Sequence, residues 1–281
     1  MWFGSRRGLS RYDGNSFVVY RHRNDDATSL ADNFVNTLYE DRAKTLWIGT
    51  NAGLSRYDSA RDAFTNYQLV PSDTLVVNTI FELRETLLIG TNQGLYAFDR
   101  ATGRSSRYGG GLFAGKEIWQ LYEDRAKHLW VGTEGAGAID FDPQTGKARA
   151  WKNDPANAAS LPGNDVRGFH EDASGAMWIS SYDAGLARLD RTSGVATRFS
   201  IDPSDVFLAS SKRIRSMLNE GDRGLWLGTE NAGLDFFDFA TRRFHHHRFD
   251  PNDQPASTTI PSGRSTATEA TCCGSARGLA A

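Results

Sequence analysis

Short apolar runs and polar turns alternate along this chain, and they return in a fixed order. Each unit holds a short apolar run, a polar turn, the phrase Leu-Trp-Ile-Gly-Thr or a close variant, a Gly-Leu step, and then an aromatic residue before Asp. The phrase occurs six times at intervals of 41 to 48 residues, centred on Trp2, Trp47, Leu88, Trp130, Trp178 and Trp226. Such a period predicts a repeat architecture in which neighbouring units bury one another's apolar faces.

One unit, over residues 33–67, shows the predicted elements. It divides into four β-prone runs separated by turn residues, at 34–39, 46–50, 54–57 and 64–67. No segment sustains the 3.6-residue apolar period of an amphipathic helix. The sequence therefore predicts an all-β fold, a β-propeller of four-stranded antiparallel blades with six repeats over residues 1–253.

Three repeated positions have a mechanical interpretation. The Gly of each Gly-Leu step is expected to adopt positive φ in a tight turn: Gly8, Gly53, Gly94, Gly137, Gly185 and Gly233. The Asp after each third strand should begin an Asx turn. The Trp should fill the space between adjacent blades, so Leu88 in the third copy leaves a volume that its neighbours must absorb.

Composition adds few constraints. The 281 residues are 23% charged and 39% hydrophobic, with a formal net charge of −2, so no global field favours nucleic acid or an anionic membrane. No run approaches the roughly 20 apolar residues that a spanning helix needs. Because Met1 falls inside a repeat, no signal peptide is predicted. The adjacent Cys272 and Cys273 imply no disulfide framework.

Three local motifs suggest chemistry, and in each the structural interpretation is preferred. The run Gly110 to Glu117 resembles a phosphate-binding loop, but it lacks the Ser or Thr after Lys and the following helix. The triplet His245 to His247 offers two ligands on one strand face without a third, so a solvated strand is expected and no metal site. The acidic pairs recur at one turn position in three repeats and predict turns, with no catalytic residue: Glu40-Asp41, Glu123-Asp124 and Glu171-Asp172.

The repeat resembles a known family. The phrases from Tyr39 to Asp58 and from Ser160 to Val166 look like the two-component regulator propeller repeat, in register over roughly residues 1–253, with Leu88, Ala138 and Ser180 as departures. The resemblance implies part of a seven-bladed ring whose closure is incomplete here. It also implies the periplasmic or extracytoplasmic sensor of a membrane-bound, dimeric receptor, a histidine kinase, hybrid two-component phosphorelay protein or diguanylate cyclase that senses small molecules such as oligosaccharides.

The repeat pattern stops after Asp253. Residues 254–281 are rich in Ser, Thr, Ala and Gly, yet the next Trp of the period is due near position 272, where Cys272-Cys273-Gly274 stands. When the codons for Cys-Cys-Gly are read from the third base of each codon, the first new codon always encodes Leu and the second can encode Trp. We therefore hypothesise a seventh repeat translated out of frame, the alternative being a native disordered tail. The expectation is a sensor fragment that lacks an output domain and forms an open arc prone to aggregation.

Ligand contacts are expected where the repeats vary at one face of the ring. Two groups of positions should meet there. Turns between the second and third strands supply Asn51, Asn92, Glu134, Tyr182, Asp183, Glu230 and Asn231, and residues entering the first strand supply Asn33, Asn36, Asp165, Arg167, Arg213 and Arg215. Together with Trp119, their arginines and aromatic rings suit hydrogen bonding and stacking on a sugar acid or another polar ligand.

These observations predict a ligand-sensing module without catalytic residues, metal or cofactor, and with no nucleic-acid or membrane contact in this chain. The residues expected to bind ligand are Arg167, Arg213, Arg215, Tyr182, Asp183, Glu134, Glu230, Asn36 and Trp119. Two alternatives remain. A propeller enzyme, such as a polysaccharide lyase or a quinoprotein-like catalyst, would need a unique catalytic cluster, and a protein-interaction scaffold would need a large exposed apolar face.

Overall fold

A computed structural model describes residues 1–70, 74–199 and 209–247 of the chain. All the regular elements of this part are antiparallel β-strands, arranged in six separate sheets. The first three sheets contain β1 (Trp2–Ser5), β2 (Gly8–Tyr12), β3 (Phe17–Tyr20); β4 (Val35–Glu40), β5 (Leu46–Thr50), β6 (Gly53–Asp58), β7 (Ala63–Tyr67); and β8 (Val77–Leu83), β9 (Thr86–Thr91), β10 (Gly94–Asp99), β11 (Arg104–Arg107).

The remaining three sheets repeat the same order of four strands. They contain β12 (Ile118–Glu123), β13 (Leu129–Thr133), β14 (Ala138–Phe141), β15 (Ala148–Trp151); β16 (Val166–Glu171), β17 (Met177–Ser181), β18 (Gly185–Leu189), β19 (Ala196–Arg198); and β20 (Ile214–Asn219), β21 (Gly224–Thr229), β22 (Leu234–Asp238), β23 (Arg243–His247). The first strands β4, β8, β12, β16 and β20 contact one another in turn, which makes them the innermost strands of successive blades. The fold is therefore the predicted propeller of four-stranded blades, numbered 1 to 6 below in chain order.

The turns follow the predicted chemistry. All six glycines of the Gly-Leu step have positive φ, from 79° at Gly137 to 142° at Gly94, a region that glycine adopts without a steric penalty. The Asp that ends a third strand accepts backbone N–H groups two or three residues later, as Asp99 does from Ala101 at 2.8 Å. These hydrogen bonds lower the pKa of Asp99, with the Thr102 hydroxyl contributing most.

The repeated Trp lies between blades, as predicted. Trp47 is 1% exposed and packs against Tyr67 of its own blade and, edge to face, against Phe98 of blade 3 at 5.4 Å. In blade 3 the smaller Leu88 is fully buried in a cluster with Leu83 and Phe113. Other apolar side chains thus fill the volume that the missing indole leaves, which keeps the interior close-packed.

One sheet is shorter than the others. Blade 1 has three strands, and its β1 corresponds to the second strand of the other blades. Within the described ranges, no strand from the other end of the chain completes the sheet of blade 1. Residues 254–281 lie outside the described part, and their interpretation as a frameshifted seventh repeat stays a prediction. The described residues contain no helix with the length and apolar character needed to span a bilayer.

Candidate functional site

A β-bulge interrupts every innermost strand at the same place. The register shifts once between the first and third residues of the strand, so that one extra residue stands out of the ladder. A bulge re-aims the side chain of its extra residue, and bulges are over-represented beside functional sites. The five residues at this position, called the bulge row below, are Asn36, Asn78, Trp119, Arg167 and Arg215.

The turn after each second strand lies directly beside this row. Its first residue donates its backbone N–H to the carbonyl that precedes the innermost strand, as from Tyr182 to Asp165 at 2.8 Å and from Glu230 to Arg213 at 3.0 Å. Asn51, Asn92 and Glu134 make the same bond in their blades. The two groups of variable positions predicted from the sequence therefore meet at one face of the arc, called the bulge face below.

In blades 4 to 6, aromatic rings and guanidinium groups alternate along the bulge face. The Arg167 guanidinium lies 3.6 Å from the ring centre of Trp119 and 5.2 Å from that of Tyr182. The Arg215 guanidinium lies 5.1 Å from the same Tyr182 ring. Cation–π attraction therefore links three blades in a continuous ladder and fixes the orientation of its side chains. Trp119 itself is partly exposed.

Glu230 is the main acceptor at the blade 6 end of the ladder. It accepts from the Tyr182 hydroxyl at 2.6 Å, from Arg213 at 3.0 Å and from Arg215 at 2.5 Å. The Tyr182 hydroxyl and then Arg215 hold the pKa of Glu230 at about 2, so the carboxylate is charged at neutral pH. The same hydrogen bond raises the pKa of Tyr182, because ionising the phenol would place two negative charges together.

Arg167 is held by carboxylates of two blades. Its Nε lies 2.8 Å from Asp165 Oδ1, and its Nη2 lies 3.3 Å from Glu134 Oε2, which also accepts from the Trp119 indole at 3.0 Å. The Arg167 side chain is only 11% exposed. Burial raises the pKa of Asp165, an effect that the nearby Arg167 partly offsets.

Neutral side chains occupy the bulge face in blades 2 and 3. Asn36 donates to Asn51 Oδ1 at 3.0 Å and to the Val77 carbonyl of the next blade at 3.1 Å. Asn33 and Asn92 use their side-chain oxygens to accept backbone N–H groups, at 2.9 and 3.1 Å, which gives them a structural role. The bulge face is thus amide-rich at one end and charged and aromatic at the other.

The sequence reasoning missed two residues of this face. Asn78 belongs to the bulge row and donates to Glu117 Oε1 of the next blade at 3.1 Å. Burial raises the pKa of Glu117, with the hydrogen bond from Asn78 opposing it and the charge of Glu134 adding to it. Alignment of the first strands would have identified Asn78, because it stands at the same repeat position as Asn36 and Arg167.

Asp183 departs from the rest of the predicted group. An added Cβ at Gly163 would lie 2.7 Å from Asp183 Oδ1, which places the carboxylate against the loop before blade 5. Asp183 is exposed, and no hydrogen bond connects it to the ladder within the described part of the chain. It is therefore a neighbour of the ladder and not a member of it.

The other motifs play structural roles. Residues 110–115 form turns before β12, as expected of a loop. His245 and His247 are exposed on β23, but the His246 side chain is only 12% exposed and its Nδ1 lies 2.7 Å from buried Asp235, so the prediction of a wholly solvated strand was wrong at that residue. Within residues 1–70, 74–199 and 209–247, no group of three His, Cys, Asp or Glu side chains is arranged to hold a metal.

The acidic pairs do more than form turns. Asp41, Asp124 and Asp172 each accept the indole N–H of the Trp six residues later, at 2.8, 2.9 and 3.1 Å. Each also accepts a backbone N–H four residues later, which is the predicted turn bond. The Asp of each pair thus connects the turn to the Trp that packs between blades.

Sequence comparison identifies the repeat. A family model described as two component regulator propeller matches residues 29–52, 112–135 and 160–183. Each segment runs from the loop before an innermost strand to the turn after the second strand, and so includes the bulge-face residues of blades 2, 4 and 5. No curated protein matches the chain.

Comparison with solved structures gives the same result. The extracellular domain of a protein described as hybrid two component system BT3049 from B. thetaiotaomicron is 25% identical, with a TM-score of 0.71 over 89% of this chain and 33% of its own length. The extracellular domain of BT4673 from the same organism is 22% identical, with a TM-score of 0.53 over 88% of this chain and 39% of its own length. The present chain thus spans between a third and two fifths of these structures.

A third structure shares the fold with different chemistry. Virginiamycin B lyase from Staphylococcus aureus is 15% identical, with a TM-score of 0.62 over 87% of this chain and 78% of its own length. At this identity the likeness concerns the propeller fold alone.

Proposed function

Because this chain belongs to the two-component regulator propeller family, we propose that it is the ligand-sensing propeller of a bacterial receptor that faces the periplasm or the cell exterior. Its ligand is a small polar molecule of the oligosaccharide class. Ligand binding at the bulge face changes the geometry between blades or between receptor copies, and a kinase or cyclase in the same receptor responds to it.

One observation carries the proposal. Five successive bulges aim Asn36, Asn78, Trp119, Arg167 and Arg215 from one place in the repeat, although the five side chains differ in size, charge and polarity. A position that keeps one residue type in most repeats, such as the repeated Trp, is explained by packing. Variation at a re-aimed position that is at least partly exposed in every blade but that of buried Asn78 supports a role in recognition.

The chemistry of the face suits a sugar ring. Saccharides present hydroxyl groups around an edge and C–H groups on a face, so their sites combine planar hydrogen-bonding groups with an aromatic platform. Trp119 offers a partly exposed indole whose N–H is already held by Glu134. Asn36 of blade 2 and Arg215 and Glu230 of blade 6 supply donors and acceptors within the same face.

Isothermal titration of the purified chain against a panel of oligosaccharides tests the proposal. Trp119→Ala and Arg167→Ala should each weaken binding by at least about tenfold, as expected of a central contact worth about 1.4 kcal/mol or more. Arg149→Ala is a matched control, because Arg149 stacks on Trp151 at 3.7 Å on the outer strand β15, away from the bulge face. Equal effects of Arg149→Ala and Arg167→Ala would place the site elsewhere.

A catalytic role is the competing hypothesis. Glu117, with its raised pKa beside Glu134 and Asp165, is the group that best resembles a general acid. Prolonged incubation of the chain with every oligosaccharide that binds, followed by chromatography of the products, separates the two roles. The sensing proposal expects unchanged saccharide, and cleavage that Glu117→Gln abolishes would establish an enzyme.

A further inference from the structure

The three bulge-face arginines of blades 5 and 6 are already paired with carboxylates of the protein. Arg167 contacts Asp165 and Glu134, and both Arg213 and Arg215 contact Glu230. Glu117 adds a further carboxyl group beside Glu134. A guanidinium group reserved for an anionic ligand would have no carboxylate of the chain in contact with it, but each of these three has at least one.

From this pairing we infer that the bulge face selects uncharged saccharides and rejects those that carry carboxylate or sulfate groups. The inference rests on the proposed function and narrows its ligand class. The sequence alone suggested a sugar acid as one candidate, because three arginines without their partners resemble an anion site. In the folded chain each of these guanidinium groups contacts a carboxylate, which reduces the positive charge that an anionic ligand would meet.

Two electrostatic effects produce the selectivity. An acidic ligand has to displace Glu230 or Glu134 from its arginine, and the displaced carboxylate then remains within a few ångströms of the ligand's own charge. Glu230 resists displacement, because three hydrogen bonds from Tyr182, Arg213 and Arg215 hold it. A neutral hydroxyl can instead accept from a guanidinium N–H or donate to a carboxylate oxygen without breaking an ion pair. Both members of each pair can therefore hydrogen-bond to an uncharged saccharide.

The test is an oligosaccharide array that holds neutral, uronic-acid and sulfated members, followed by titration calorimetry on the bound members and their charged counterparts at low and high salt. We expect a neutral member to bind at least about tenfold more tightly than a counterpart of the same length and linkage that carries a carboxylate. Added salt should narrow this difference, because it screens charges at a partly exposed face.

Glu230→Gln provides the second arm of the test. It releases Arg213 and Arg215 while keeping the size of the side chain, and should raise the affinity for the acidic counterpart by at least about fivefold at low salt. A thermal melt confirms that the variant folds. Acidic members that bind the wild type as tightly as neutral ones would overturn the inference and leave the proposed function standing. An array without any bound saccharide would overturn the proposed function, and with it the inference.

Discussion

The indole Nε1 of Trp130 donates a hydrogen bond to Oδ2 of Asp124, six residues earlier, at 2.9 Å. Both side chains are almost fully buried, and the same Oδ2 accepts from Arg191 of blade 5. Arg191 in turn contacts Glu171 of that blade at 3.0 Å. One carboxylate therefore joins the turn of blade 4, its inter-blade Trp and an ion pair with the next blade.

Asp124→Ala is expected to destabilise the chain by about 3 kcal/mol, because it leaves a buried indole N–H and a buried part of an ion-pair network without their acceptor. Urea unfolding monitored by tryptophan fluorescence measures the change. Glu123→Ala is the control, since Glu123 makes only an exposed pair with Lys127 at 3.4 Å and should change stability by less than about 0.5 kcal/mol. A similar loss in both variants would show that the turn, and not the indole bond, matters.

Blade 3 lacks both partners of this bond. Leu88 replaces the Trp, and Leu83 stands at the strand position where Asp124 stands in blade 4. Both leucines belong to one buried cluster. The two leucines suit each other, because an Asp at position 83 would be a buried carboxylate without an indole donor, and an indole at position 88 would be a buried N–H without that acceptor.

Leu83→Asp should therefore cost more than about 2 kcal/mol at pH 7, although Asp is the usual residue of the repeat there. Burial would raise the pKa of the new carboxyl above its unfolded value, so the penalty should shrink as the pH falls and the group becomes protonated. Leu83→Ala separates charge from lost packing, since its cost should not depend on pH. A Leu83→Asp variant as stable as the wild type would contradict this account.

Sequence patterns predicted most of the fold and the face on which the variable residues lie. Strand order, the positive φ at Gly94 and the meeting of Tyr182 with Arg167 all follow from the repeat, because a period places the same position at the same place in every blade. The pairing of individual side chains does not follow from it. That Glu230 would contact both Arg213 and Arg215, or that Asp124 would reach Arg191, depends on side-chain geometry that a repeat period does not contain.

Asp172 makes the stability of the chain depend on pH. Burial alone would raise its pKa, but hydrogen bonds from Ser174 and Arg188 outweigh that effect and lower the pKa to about 2, from 3.8 in the unfolded chain. A lowered folded-state pKa stabilises the native state above pH 4, and the contribution is lost as the pH falls towards 2. The size of the shift corresponds to ~2 kcal/mol.

Asp172→Asn should accordingly lose about 2 kcal/mol at pH 7 and almost nothing at pH 2 relative to the wild type. Urea unfolding at pH 7, 4 and 2 measures the difference. Asp25→Asn is the control, because Asp25 is an exposed loop residue whose replacement should change stability by less than about 0.5 kcal/mol. Parallel profiles for the wild type and Asp172→Asn would mean that Arg188 does not stabilise the charged form.

In blade 5, a glycine stands on the innermost strand at a position where the other complete blades have their glycine on the second strand. In the other complete blades, the glycine of the second strand lies opposite a larger residue, as Gly49 lies opposite Thr37, whereas blade 5 pairs Ser180 with Gly168. A Cβ at Gly168 would lie 2.6 Å from Ser180 Oγ and 2.9 Å from Met217 Cβ, so the departure at Ser180 is offset by the glycine across the hairpin.

A double-mutant cycle tests this compensation. Gly168→Thr alone should destabilise the chain by about 2–3 kcal/mol through overpacking. Ser180→Gly alone should cost less than about 1 kcal/mol, because the buried Ser180 hydroxyl makes no hydrogen bond within the described residues. The double variant recreates the Thr37–Gly49 arrangement and should recover about 1–2 kcal/mol relative to the sum of the single changes, in urea unfolding at one pH. Strictly additive costs would show that contact with Met217, and not with Ser180, requires the glycine at position 168.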